Sequence, residues 1–137
     1  MICSYCGSEN EKVMQLCYFC QAPLDKKRPK LKDFIYLDQC EFSFSELEVF
    51  HTYDLLILLR LVREERSNCY HLMRTVQKGS ELIEIDSDTL TFAESEYRRY
   101  TARMRVIEGI LIDRMGYKPK RVDDKLLASL KVKLEND

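Results

Sequence analysis

Four cysteines near the start of the chain, Cys3, Cys6, Cys17 and Cys20, make the pattern C-x2-C-x10-C-x2-C inside "CSYCGSENEKVMQLCYFC". Thiolates serve as metal ligands and as nucleophiles, so the spacing has two chemical readings. In one, two residues between paired cysteines let both sulfurs reach a single ion from a tight turn, and the second pair completes a tetrahedron. In the other, Cys-x-x-Cys is a redox pair, which belongs at the start of a helix after a strand in a βαβ unit. No such pattern surrounds these residues. Catalytic zinc keeps an open position, whereas four thiolates close the shell. The quartet therefore predicts one structural Zn2+, with iron on the same thiolates as the chemical alternative. A segment this small buries too little apolar surface to fold alone, and metal binding supplies the missing free energy.

Gly7, directly after Cys6, suits a turn whose backbone takes positive φ. Between the pairs, "ENEKVMQL" is short enough for two small strands and their turn. The residues "CSYCG" and "CYFCQ" resemble the knuckles of zinc ribbons, the rubredoxin-like four-cysteine modules, and the resemblance covers residues 1–24 only. Gln21 stands where such modules often carry a second glycine. The resemblance implies a module of the kind used in nucleic-acid machinery and small regulatory proteins, as a DNA binder, a docking site or a structural cap. Tyr18 and Phe19 are expected to pack, with stacking on a base as the alternative.

Other reactive side chains form no constellation. Cys40 and Cys69 read as small buried hydrophobes. His51 and His71 lack a third ligand at helical spacing, and Cys69 and His71 point to different faces of a helix. Four scattered glycines build no phosphate loop, and no nucleophilic serine motif occurs. An enzyme is not expected.

The elements that must carry these residues are mostly helical. With four Gly and three Pro in 137 residues, the chain is too poor in turn formers for an all-β fold. The organisation expected is a zinc ribbon over 1–24, a basic linker over 25–33 and a helical domain over 34–137. "DFIYLDQCEFSF" reads as a strand or an extended arm. Ser45 with Glu48 reads as a capping box opening a long helix that stops at Gly79, with a break expected near Ser67-Asn68. Its Leu55–Leu59 run is apolar all round and is expected at the centre of the core. Ser80–Asp86 reads as a short strand or connector. A second helix, capped by Thr91 and Glu94, carries Tyr97, Tyr100, Met104, Ile107 and Leu111 along one face. Gly116 and Pro119 end it, and a third helix near Asp123–Leu134 follows. The fold class is thus mainly α: a small helical bundle with a long central helix, preceded by an N-terminal four-cysteine zinc ribbon.

Net charge is −1, so no global field draws the chain onto nucleic acid. The charge is segregated, however: +4 over residues 25–32, −9 over 33–96 and +5 over 97–137. Lys26, Lys27, Arg28, Lys30 and Lys32 beside the ribbon are candidate contacts for nucleic acid or an acidic partner. Arg98, Arg99, Arg103 and Arg105, with Lys118, Lys120 and Arg121, form a second basic group that either pairs with the acidic half or meets phosphate. No apolar run is long enough to span a bilayer and no signal segment precedes Cys3, so a cytoplasmic protein with no membrane partner is expected. The expected function is that of a zinc-binding regulator or adaptor acting on a protein partner, with a homodimer as a further arrangement. Direct nucleic-acid binding through the ribbon and basic linker is the alternative.

Overall fold

A helix built from Leu55-Leu56-Ile57-Leu58-Leu59 has no polar side, so its neighbours must enclose it. They do so in the computed structural model, which describes residues 1–25, 29–82 and 87–136. The chain divides into two units, Met1–Lys30 and Leu31–Asp137. The first is the cysteine-bearing unit. The second is helical: a 3-10 helix at Leu37–Glu41, then α1 (Phe44–Glu48), α2 (Thr52–Leu82), α3 (Ser87–Met115) and α4 (Asp124–Asn136).

The long central helix is α2, whose 31 residues extend about 46 Å at a rise of about 1.5 Å each. It packs antiparallel to α3. Thr52 meets Arg114, Arg63 meets Glu108, Arg66 meets Thr101 and Tyr70 meets Tyr97, so the numbering falls on one helix as it rises on the other. Leu55, Leu56, Leu58 and Leu59 are wholly buried, joined by Ile107 and Leu111 from the expected face of α3 and by Val122 and Leu127 beside α4. Tyr100, Met104 and Leu130 cover the cluster's edge. Farther along the hairpin burial thins: between Arg63 and Arg99, Cys69 and Ala93 are the buried side chains among the described residues.

Several boundaries differ from the sequence expectation. The capping box is Ser43 with Glu46, not Ser45 with Glu48. Ser43 Oγ accepts the Glu46 N–H at 3.3 Å, while Glu46 Oε1 accepts the Ser43 N–H, also at 3.3 Å. The helix it opens lasts five residues. The break falls at Val49–His51 rather than near Ser67-Asn68, because it turns both Leu47 and Phe50 into the core. Arg114 of α3 closes it, donating to the Phe50 carbonyl at 2.6 Å, to Thr52 Oγ1 at 3.3 Å and to the Glu48 carbonyl. His51 Nδ1 then accepts the Tyr53 N–H at 3.0 Å and caps α2.

Gly79 does not stop α2, which runs on to Leu82. In a 31-residue helix a single interior glycine costs only about 1 kcal/mol. Ser80–Leu82 therefore belongs to α2, and residues 83–86 of the expected strand or connector lie outside the described residues. Thr91 lies inside α3 rather than at its cap. In "DFIYLDQCEFSF" no strand forms: Tyr36 is extended, and Leu37–Glu41 turn into the 3-10 helix, which places Cys40 in the core. Two other expectations hold. Gly116 ends α3 with φ +81°, and a further helix follows near Asp123, where α4 runs Asp124–Asn136; the Asp123 carboxylate caps it by accepting the Leu126 N–H at 2.9 Å.

Candidate metal centre

The unit Met1–Lys30 is built from one backbone pattern used twice. Cys3 N–H donates to the Ser8 carbonyl at 2.9 Å and Gly7 N–H to the Cys3 carbonyl at 3.0 Å. Fourteen positions on, Cys17 N–H donates to Ala22 at 2.9 Å and Gln21 N–H to Cys17 at 3.0 Å. Flanking bridges repeat as well, Ile2 with Glu9 and Leu16 with Pro23. These are isolated bridges; among the described residues no strands form between the pairs, only a turn in which Met14 N–H donates to the Glu11 carbonyl at 3.1 Å. In the sequence the repeat shows only as the fourteen-residue offset of Cys3/Cys17 and Cys6/Cys20 with the matched pairs Ile2/Leu16 and Tyr5/Phe19, because the other side chains differ.

Each turn needs left-handed backbone just after its second cysteine. Gly7 supplies it at φ +79° without steric cost, and Gln21 is held there at φ +63°. The departure from glycine thus leaves the second turn's geometry intact, at a strain of about 1 kcal/mol.

The two turns bring all four Sγ atoms within 4.8 Å of one another. Cys3 and Cys20 sulfurs are 3.6 Å apart, and those of Cys6 and Cys17 are 3.5 Å apart. A tetrahedron with metal–sulfur bonds of about 2.3 Å has edges of about 3.8 Å, so the sulfurs fit one ion such as zinc. Cys3 and Cys17 are buried and Cys6 and Cys20 exposed. Two hydrogen-bond donors stand by the sulfurs, Tyr5 N–H at 3.5 Å from Cys3 Sγ and the Asn10 amide at 3.5 Å from Cys17 Sγ, and the Cys6 thiol itself donates to Ser8 Oγ at 3.3 Å.

These groups spread the thiol acidities. The Cys20 N–H, helped by Phe19 N–H and the Asn10 amide, draws Cys17 down to about 6 against the cost of burial. The Ser8 hydroxyl and N–H lower Cys6. Cys20 is pushed up to about 12: the Ala22 N–H favours its thiolate, but burial and the crowding of Cys6, Cys3 and Cys17 prevail. Four thiolates this close repel one another, and a divalent cation is what lets all four shed their protons.

The other candidate residues are not assembled into a site. Lys26, Lys27 and Arg28 lie outside the described residues. Lys30 is exposed, and Lys32 places its ammonium 4.6 Å above the Phe50 ring while its N–H donates to buried Asp54 at 2.9 Å. Arg99 and Arg103 both reach Glu41, at 3.4 and 3.1 Å, and Arg99 also pairs with Glu96 at 3.0 Å. Lys118 joins Arg63 at the nearly buried Glu108. Pairing with the acidic half thus engages part of the second basic group, while Arg98 and Arg105 are exposed. Cys40 and Cys69 are buried, as small hydrophobes should be; burial pushes Cys40 up to about 11 and also raises Cys69.

Within the cysteine unit, among the described residues, Tyr18 and Phe19 are covered by no other aromatic ring than each other's. Neither ring is buried: they meet each other edge-on with centroids 6.5 Å apart and stand 66% and 73% exposed. Among the described residues, no helix is long and apolar enough to cross a membrane. Compared with known protein families, curated proteins and solved structures, the chain matches none.

Proposed function

We propose that this chain is a zinc-binding regulator or adaptor that works by docking on another protein. The observation that carries this reading is the apolar exterior of the cysteine unit. Tyr5, Tyr18 and Phe19, three of the four residues between paired cysteines, are exposed, as are Ile2, Val13 and Leu16. Aromatic side chains held on a metal-stapled turn lose little entropy on binding, and such residues are enriched in the cores of protein interfaces. Residues 1–25 carry one lysine, Lys12, against Glu9, Glu11 and Asp25, so any phosphate contact of this unit falls to Lys26, Lys27, Arg28 and Lys30 rather than to the cysteine turns. A setting in transcription or replication control follows from the likeness to zinc ribbons alone.

Direct nucleic-acid binding is the second reading, favoured by the exposure of Tyr18 and Phe19, whose faces are open for bases to stack on. One measurement tests the metal and two separate the readings. Native mass spectrometry should find one zinc per chain, lost in Cys17→Ser. Zinc retained at one per chain in that variant sinks the quartet assignment. Fluorescence anisotropy with labelled duplex and single-stranded DNA at two salt concentrations should show no binding. A partner captured on zinc-loaded protein should be lost when Tyr18 and Phe19 are changed to Ser with zinc intact. DNA binding that weakens steeply with salt would instead select the nucleic-acid reading.

A further inference from the structure

The fourteen-residue repeat of the cysteine unit is broken at one buried position. Where the second half has Leu24, the first has Asn10, and the two share a backbone role: Asn10 N–H donates to the Met1 carbonyl at 2.8 Å and Leu24 N–H to Gln15 at 3.0 Å. Their side chains do different things. Asn10 is 7% exposed and every polar atom of its amide is engaged. Its Nδ2 donates to the Ser8 carbonyl at 3.0 Å and lies 3.5 Å from Cys17 Sγ, while its Oδ1 accepts the Tyr18 N–H at 3.0 Å.

Burying an amide is costly unless all of its hydrogen bonds are made. Here they run across the repeat. Ser8 belongs to the first turn, whereas Cys17 and Tyr18 belong to the second. Few other bonds join the turns: their own backbone ladders close within each half. A leucine at this place would fill similar volume but hold neither Cys17 nor Tyr18.

We infer that Asn10 is the positioning residue of the metal centre, fixing the second cysteine turn against the first and directing an N–H at the Cys17 sulfur. This rests on the metal reading above. Residues that orient a ligand from behind are a recurrent determinant of metal affinity, and their removal costs roughly 10–100-fold. The Asn10 amide does this through one donor and one acceptor, so the two contributions are separable. In Asn10→Asp a carboxylate oxygen still accepts the Tyr18 N–H, but the donor facing Cys17 and Ser8 is gone. In Asn10→Leu both are gone and the unit regains the symmetry of its second half.

The test uses the full chain loaded with zinc and challenged with a chromogenic chelator, and in parallel the same proteins loaded with Co2+ for absorption spectroscopy. Both variants should release zinc at least roughly tenfold faster than the unaltered protein. The thiolate-to-cobalt charge-transfer band should shift in both, since a sulfur that has lost an N–H donor gives up its electrons more readily. A merely structural role for Asn10 moves release but not the band of Asn10→Asp. An unshifted band, or release within twofold of the unaltered protein in both variants, overturns the inference. Unaltered protein that takes up no zinc overturns it together with the metal reading, and the loading stoichiometry tells the two failures apart.

Discussion

Replacing Arg114 by Met would test what holds the break between α1 and α2. The guanidinium donates to the Phe50 carbonyl at 2.6 Å, to Thr52 Oγ1 at 3.3 Å and to the Glu48 carbonyl. Methionine keeps most of the aliphatic stem and removes every donor. The Phe50 carbonyl is partly buried, and losing a charge-assisted bond there costs about 1.5–3 kcal/mol. The other two acceptors face solvent, so water replaces the arginine at little cost. The total is about 2–3 kcal/mol, which for a helical unit of this size lowers the melting temperature by about 10 °C. Thermal unfolding followed by circular dichroism at the helix band reads it directly. Arg114→Lys, which keeps the charge and one bond, should recover about half of that loss. Arg60→Ala is the control: its pair with Asp124 is 2.6 Å long, but Asp124 is 96% exposed, so the cost stays below about 1 kcal/mol. A fall of less than about 3 °C in Arg114→Met would refute the reasoning and leave the break to the packing of Leu47 and Phe50 alone.

Three further outcomes are expected. Burial raises the Asp54 carboxyl above its ordinary 3.8, against the opposing pull of the Lys32 N–H, so its protonated form is the one the fold favours. Its contribution to stability is then present below that value and lost as pH rises through the folded value. In Asn-substituted protein (Asp54→Asn) this loss is absent, and urea midpoints should move in the variant's favour as pH rises above 3.8; a constant gap refutes it. Alkylation read by mass spectrometry should add four groups rapidly once zinc is chelated, then a fifth at Cys69 slowly as the far half of the hairpin opens, while Cys40, pushed up to about 11 and 1% exposed, resists longest. Cys40 labelled as fast as the quartet would contradict that. At Gln21, glycine should be nearly neutral, relief of about 1 kcal/mol of left-handed strain being offset by about 0.5–1 kcal/mol of chain entropy. Gln21→Val, β-branched at φ +63°, should lower zinc affinity severalfold in chelator competition, and equal affinity for all three would show that the turn adapts.

The sequence disclosed what local chemistry controls. Cysteine spacing indicated the sulfur cluster, and the Leu55–Leu59 run indicated the helix at the centre of the core. The stripe Ile107–Leu111 and the stop at Gly116 were legible for the same reason: each depends on residues a turn or two apart. What stayed hidden depends on distant partners. The break at Val49–His51 exists because Arg114, more than sixty residues on, satisfies its carbonyls. Gly79 does not end α2, since one interior glycine costs only about 1 kcal/mol and nothing in its sequence neighbours forces a stop there. Asn10 looks like an ordinary polar loop residue until the second turn folds over it and takes both faces of its amide.

The uneven burial along the α2–α3 hairpin has a consequence for how the helical unit comes apart. Near Leu55–Leu59 the backbone opens only when the whole core is lost, so amide protons there report the global unfolding free energy. Around Cys69 and Ala93 a partial opening exposes little apolar surface and is cheap. Amide protons on one continuous helix therefore exchange by two different events, and protection should grade from the far end toward the core. A partner that gripped the far half would not need to compete with the core, because it would spend its binding energy only on the part of the hairpin that already opens by itself.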